Sequence, residues 1–232
     1  LDRDASAVQA RLAHGWEAAR QLLPLAADDP LARRYAALAA ATDEARRSPT
    51  ALEAYRRDAA AFEAEMAPWV TRVQAGRQLV AELRARLPQQ IDAAIQLAAP
   101  WACLQEHVAF IQQRALDFES AQSQLARASR RREAEPPLDE LADIDSQVAE
   151  RMTLLGYQAD RLRFLETGLG EIIALAEADS EGLPPDDPAL VRRNKAIRLI
   201  AQYSQQAHAA QKYEDASLAL SRAADVANRA AL

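Results

Sequence analysis

The stretch LEAYRRDAAAFEAEMAPWVTRVQAGRQLVAELRARL, from Leu52 to Leu87, decides the fold. Its apolar and small residues Leu52, Tyr55, Ala59, Phe62, Met66, Trp69, Val73, Gly76, Val80, Leu83 and Leu87 follow one another at alternating steps of three and four. On a helix of 3.6 residues per turn that spacing draws one stripe along one side, sustained for about five heptads. Such a stripe is kept from water by packing against other helices. Pro68 lies inside the pattern, and because the phase continues through Val73 it is expected to kink the helix without ending it.

Beyond Pro88 a second stripe runs through Leu97, Trp101, Leu104, Val108, Ile111, Ala115, Phe118, Gln122 and Leu125. Between the two lies RARLPQQID, residues 84–92, which holds no Gly, Asn or Ser to make a turn. A tight turn at Pro88 and one long helix kinked at Pro68, Pro88 and Pro100 both satisfy this pattern. A continuous helix from Thr50 to Ser129 would extend about 120 Å at 1.5 Å per residue.

The run RRREAEPPLDEL is a clearer break, because Pro136–Pro137 denies helix to the residues before it and Pro137 can open the next helix. A third stripe then runs from Leu138 through Leu141, Ile144, Val148, Met152, Leu155, Ala159, Leu162, Leu165, Leu169 and Ile173 to Ala176. The connection before it is too short for a parallel return, so this helix should pack antiparallel to its predecessor. The segment ADSEGLPPDDP, from Ala178 to Pro188, is the strongest loop in the chain. A last helix is predicted from Pro188 towards Leu232, with a face of Ala196, Leu199, Tyr203, Ala207, Ala210, Ala224 and Ala227.

Two near copies, DDPLARR from Asp28 and DDPALVRR from Asp186, supply helix starts. Asp29 and Asp187 are good N-caps, and the prolines after them are tolerated at the first helical position because their missing N–H would be unpaired there. Ser48–Pro49 repeats the grammar, with Thr50 and Glu53 as an alternative capping box. Arg33/Arg34 and Arg192/Arg193 could offer anion sites at these starts. The likeness stops within a few residues, which argues against an internal duplication. The first two helices are then predicted at Asp4–Leu23 and Pro30–Arg47.

The chain of 232 residues contains only six glycines, and helix formers dominate it. The predicted fold is all-α: an elongated antiparallel bundle or coiled-coil hairpin of five or six helices, read as one domain over 1–232. Two stacked modules, 1–87 and 88–232, are the other organisation the breaks allow. Lysines and arginines number 28 against 34 acidic residues, a net charge of −6 that suits an ordinary soluble surface. The basic cluster Arg130, Arg131, Arg132 is followed at once by Glu133 and Glu135, with no aromatics to stack on bases, so nucleic acid is not an expected partner. No apolar run is long enough to cross a bilayer.

Catalytic and metal chemistry find little support. Cys103 and His107 are four apart with Glu106 beside them, which provides two ligands and a doubtful third where a metal needs three or four. Neither His14 nor His208 has a Glu three residues before it, so the Glu-x-x-His pattern of di-iron bundles is missing. Gly168 and Gly170 lack the strand and third glycine of a dinucleotide loop, and more naturally relax a helix. No catalytic, cofactor-binding or metal-binding residue is therefore assigned, no cofactor is expected, and the chain is not read as an enzyme. Trp69 and Trp101 belong to the stripes, whereas Trp16 either caps the bundle or faces a partner.

Tyr213, Glu214, Asp215, Ala216, Leu220 and Ala223 resemble the second half of a tetratricopeptide repeat, in which a small residue lets paired helices approach. No second copy follows at a period near 34 residues, and an amphipathic bundle helix gives the same pattern. The function expected from these features is a non-catalytic interaction or scaffold domain that binds another protein or itself. One alternative is an extracytoplasmic sensor domain of a bacterial membrane receptor. It would take a small molecule between helices, with arginine serving an anion; the start at Leu1 rather than Met would suit such an excised segment. The other alternative is a secreted effector or helical toxin component.

Overall fold

The computed structural model describes residues 1–22, 29–129 and 135–230, and every regular element in them is helical. These are α1 (Asp2–Leu22), α2 (Pro30–Ala45), α3 (Pro49–Ala98), a 3-10 turn (Ala102–Leu104), α4 (Gln105–Ala128), α5 (Leu138–Ala178), α6 (Pro188–Ala209) and α7 (Tyr213–Ala230). The fold is all-α, with seven α-helices among the described residues where five or six were expected. Leu23, Asp28, the basic cluster Arg130–Arg132 with Glu133, and Leu232 lie outside the described residues.

Helix starts follow the local grammar. Asp29 Oδ1 accepts from Leu31 N at 2.8 Å and Asp187 Oδ1 from Ala189 N at 2.7 Å, each with proline at the first helical position. At the start of α3 the cap is Ser48, whose Oγ accepts from Ala51 N at 3.4 Å. Each cap satisfies a donor that the first turn cannot pair for itself.

The open question at Pro88 is answered by a helix that runs through both Pro68 and Pro88 and ends at Ala98. Both prolines are exposed, so the carbonyls they leave unpaired face water. Beyond Leu87 the buried line shifts by one residue within the helix: Val80, Leu83, Leu87, Ile91, Ala94 and Ala98 step by three, four, four, three and four, and all but the half-buried Ile91 are buried. One extra step of four shifts a stripe slightly without breaking it. The break falls instead at Pro100–Trp101, where Trp101 is extended (φ −125°, ψ 114°) and the Gln105 side chain donates to the Ala98 carbonyl at 3.0 Å.

The chain forms two compact units, Leu1–Arg84 with Asp117–Ile144, and Ala85–Leu116 with Asp145–Leu232. In the first, the core gathers Leu12, Trp16, Leu31, Leu52, Phe62 and Val73. Trp16 stacks on Tyr35 at 4.7 Å, and both rings lie beside Phe62, at 6.3 and 6.4 Å. Trp16 thus packs and does not face outward. Gly76 lets α3 close on its neighbours, since a Cβ there would stand 2.8 Å from a Leu125 methyl and 3.1 Å from one of Leu138. Surface ion pairs such as Arg34–Glu65, Arg72–Glu135 and Arg56–Asp4 decorate this unit.

In the second unit Arg114 donates to Gln147 and His107 bonds Gln158, so residue numbers fall on α4 as they rise on α5. The two helices are antiparallel there, as the short connection required. The predicted last helix is two helices, broken at Ala210–Lys212, where Ala210 takes an extended conformation (φ −62°, ψ 137°). No Gly or Pro marks that break. The buried positions of α6 are Ala196, Ile200 and Ala207, a face rotated from the predicted one, and Leu199 is exposed. α6 and α7 pack on each other and on the 3-10 turn.

Candidate functional site

α5 is apolar on more than one side. Its buried stripe holds Leu155, Ala159, Leu162, Leu169 and Ala176, as the three-four spacing predicted. A second stripe lies one residue out of phase with it: Leu154, Tyr157, Phe164 and Leu175 are 42%, 62%, 78% and 68% exposed. A solvated helix face normally carries polar residues, whereas here four large apolar side chains lie along one line of one helix. Arg161, Gly168, Glu171 and Ala178 fill the intervening positions, so the whole line from Leu154 to Ala178 keeps steps of three and four.

Next to Leu154 lies a cleft of about 280 Å³ lined by Phe110, Gln147, Glu150, Arg151 and Leu154. The Arg151 guanidinium sits 4.4 Å from the Phe110 ring centre and donates to Nδ1 of His107 at 3.3 Å. His107 is buried, and its Nε2–H donates to Gln158 Oε1 at 2.9 Å. Stacking and hydrogen bonding therefore hold Arg151 in one orientation on the cleft wall. A groove of about 460 Å³ along α6 is lined by Val191, Asn194, Lys195, Arg198, Leu199 and Gln202.

The end of α6 carries the most constrained polar group. His208 Nδ1 lies 2.7 Å from the Pro100 carbonyl and Nε2 2.6 Å from Glu166 Oε1, while its ring stacks on Trp101 at 4.2 Å. Both partners are acceptors, so both ring nitrogens donate and the imidazolium form is favoured. Burial pushes the His208 pKa down, but the Pro100 carbonyl and the Glu166 carboxylate outweigh it, and the net direction is up. At the start of α7 burial raises the Tyr213 phenol, against the pull of Arg161.

The residues singled out from sequence fall differently. Cys103 is buried in the 3-10 turn, and burial, helped by the nearby Glu106 and Glu214, pushes its thiol up, opposite to what a reactive thiol needs. His107 spends both nitrogens on Arg151 and Gln158, and among the described residues no three His, Cys, Asp or Glu side chains converge on a metal position. Arg34 pairs with Glu65, Arg192 donates to the Pro188 carbonyl and Arg193 to Ser180 Oγ, so these three arginines are engaged locally. Gly168 and Gly170 lie within α5, and a Cβ at either would meet nothing within 4 Å. Among the described residues no helix is long and apolar enough to cross a membrane.

No known protein family, no curated protein and no solved structure matches the chain. The tetratricopeptide-like residues 213–223 form the first half of α7, which packs on α6 and buries Ala216, Ala219, Leu220 and Ala223. The exposed stripe on α5 was missed from sequence. Its signal was present, in that Leu154 starts a second three-four pattern beside Leu155 of the inner stripe, but side by side they read as one broad apolar stretch.

Proposed function

We propose that the protein is a non-catalytic interaction domain that docks a protein partner on the outer face of α5. The observation that carries this reading is the line Leu154, Tyr157, Phe164 and Leu175, whose exposure leaves a large apolar surface in water on the side of α5 away from its buried stripe. Aromatic residues at the centre of such a line are the side chains on which binding energy concentrates. The test is capture by the immobilised protein compared with its Phe164→Glu variant, with circular dichroism to confirm equal folding. Partners that bind the parent and are lost in the variant support the reading; identical capture sinks it, as does no capture by a parent that is also monomeric.

The cleft at Arg151 favours a second reading, a sensor domain for a small anion. Its support is a half-buried guanidinium held by His107 and Phe110 beside a cavity of about 280 Å³. Thermal-shift screening with small carboxylates should then find a ligand whose stabilisation is lost in Arg151→Lys. A screen in which no anion raises the melting temperature counts against it.

A further inference from the structure

We infer that the partner of the α5 face is a second copy of the same chain, paired antiparallel about a two-fold axis at Glu166. The inference rests on the interaction reading and adds the identity and register of the partner. Along the exposed line the residues are Leu154, Tyr157, Arg161, Phe164, Gly168, Glu171, Leu175 and Ala178, at steps of three, four, three, four, three, four and three. Reading the line backwards against itself pairs Leu154 with Ala178, Tyr157 with Leu175, Arg161 with Glu171 and Phe164 with Gly168, and each pair occurs twice.

Every one of those pairs is complementary. The cation meets the anion, and both side chains are exposed and long enough to reach across. The Phe164 ring, the most exposed of the four large apolar side chains, meets the smallest residue, and around Gly168 a Cβ would find nothing within 4 Å, which leaves room for a ring. Apolar groups meet apolar groups at both ends. The flanking positions set Asp160 opposite Ala174, Gln158 opposite Ile172, Leu165 opposite its own copy and Thr167 opposite its own copy, so no like charges face each other. A parallel pairing fails the same test, since it would place Arg161 on Arg161 and Glu171 on Glu171. Alternation of layers in this manner is what two antiparallel helices with three-four stripes require, and a patch that complements itself under a two-fold is what a closed dimer requires. The stripe is about 36 Å long at 1.5 Å per residue. Tyr213, close to Arg161 and Tyr157, borders it at one end.

The test is sedimentation equilibrium on the parent, on Arg161→Glu, on Glu171→Arg, and on an equimolar mixture of the two variants. The parent should dimerise. Each variant alone faces like charge with like charge twice and should dimerise more weakly, by on the order of tenfold or more. The mixture should recover the parent's affinity. In every heterodimer the two substituted side chains, now of opposite sign, face each other at one end of the pairing, while the native Arg161 of one chain meets the native Glu171 of the other at the opposite end. A dimer indifferent to both substitutions overturns the inference, as does a mixture that stays monomeric while the parent dimerises. A monomeric parent also overturns it; if that monomer still captures a different protein in a Phe164-dependent way, the docking face survives without the self-pairing, and if it captures nothing both readings fall.

Discussion

Truncating Phe62 to alanine should cost the protein about 4–5 kcal/mol. The ring has no exposure at all and is flanked by Trp16 and Tyr35, with the Arg34 guanidinium 5.9 Å from its centre. Removing the ring withdraws roughly 150 Å² of apolar surface from burial, about 4 kcal/mol at ~25 cal/mol per Å². Lost aromatic pairing adds about 0.5–1 kcal/mol, and the cluster draws on α1, α2 and α3 together, which limits how far the cavity can collapse. Phe62→Leu keeps part of that volume and should cost about 1–2 kcal/mol. Urea unfolding followed by circular dichroism reads the total. Tryptophan fluorescence reads the site, because Trp16 stacks within the same cluster. A loss below about 1 kcal/mol for the alanine variant would refute the placement of Phe62 at the meeting point of α1, α2 and α3.

His208 should make the α6–α7 pair pH-dependent. Its folded pKa is raised by Pro100 and Glu166, so its contribution is complete below the unfolded value of about 6.5 and is lost as pH rises through the higher folded value. Being about one-third exposed, the clamp is worth about 1 kcal/mol or less, and His208→Ala should flatten the pH dependence of amide exchange in α6 and α7. Asp187→Ala removes the acceptor for Ala189 N and should cost about 1 kcal/mol in thermal unfolding, with Asp187→Asn close to neutral. Cys103, 2% exposed with a raised pKa, should react with a thiol reagent only as fast as the protein opens; prompt reaction in the native state would contradict its burial. Gly76→Leu should destabilise by about 1–3 kcal/mol in the same urea assay, as its side chain would press on Leu125 and Leu138.

What sequence reasoning could read was whatever is local or periodic. The stripe from Leu52 to Leu87 is buried at every predicted position but Trp69, which is half-buried, and Asp29 and Asp187 cap helices through atoms two residues away. The break after Ala209 was illegible because no Gly or Pro marks it, and the contacts beside it are distant: His208 is tied to Pro100 and Glu166, 108 and 42 residues off along the chain. A hint remained in Glu214 and Asp215, acids suited to the first turn of a new helix. Pro88 left two readings open, because a proline on the wet side of a long packed helix is tolerated when its lost hydrogen bond faces solvent, and spacing alone does not say which side is wet. At the candidate site, the outer line of α5 was hidden by its own inner line. Burial, which no spacing rule reports, separates the two.

The loop from Asp179 to Asp187 joins α5 to α6 with Gly182 at φ 84° and with Glu181, Pro184, Pro185 and Asp186 all exposed. Everything after it, α6 and α7, is a pair of helices already bonded to each other and to the 3-10 turn by side-chain packing and by the His208 clamp. The peptide bonds of the loop therefore carry little of the job of keeping that pair in place. A cut in this loop, or a reporter spliced into it, should therefore leave α6 and α7 docked on the 3-10 turn and the outer face of α5 untouched.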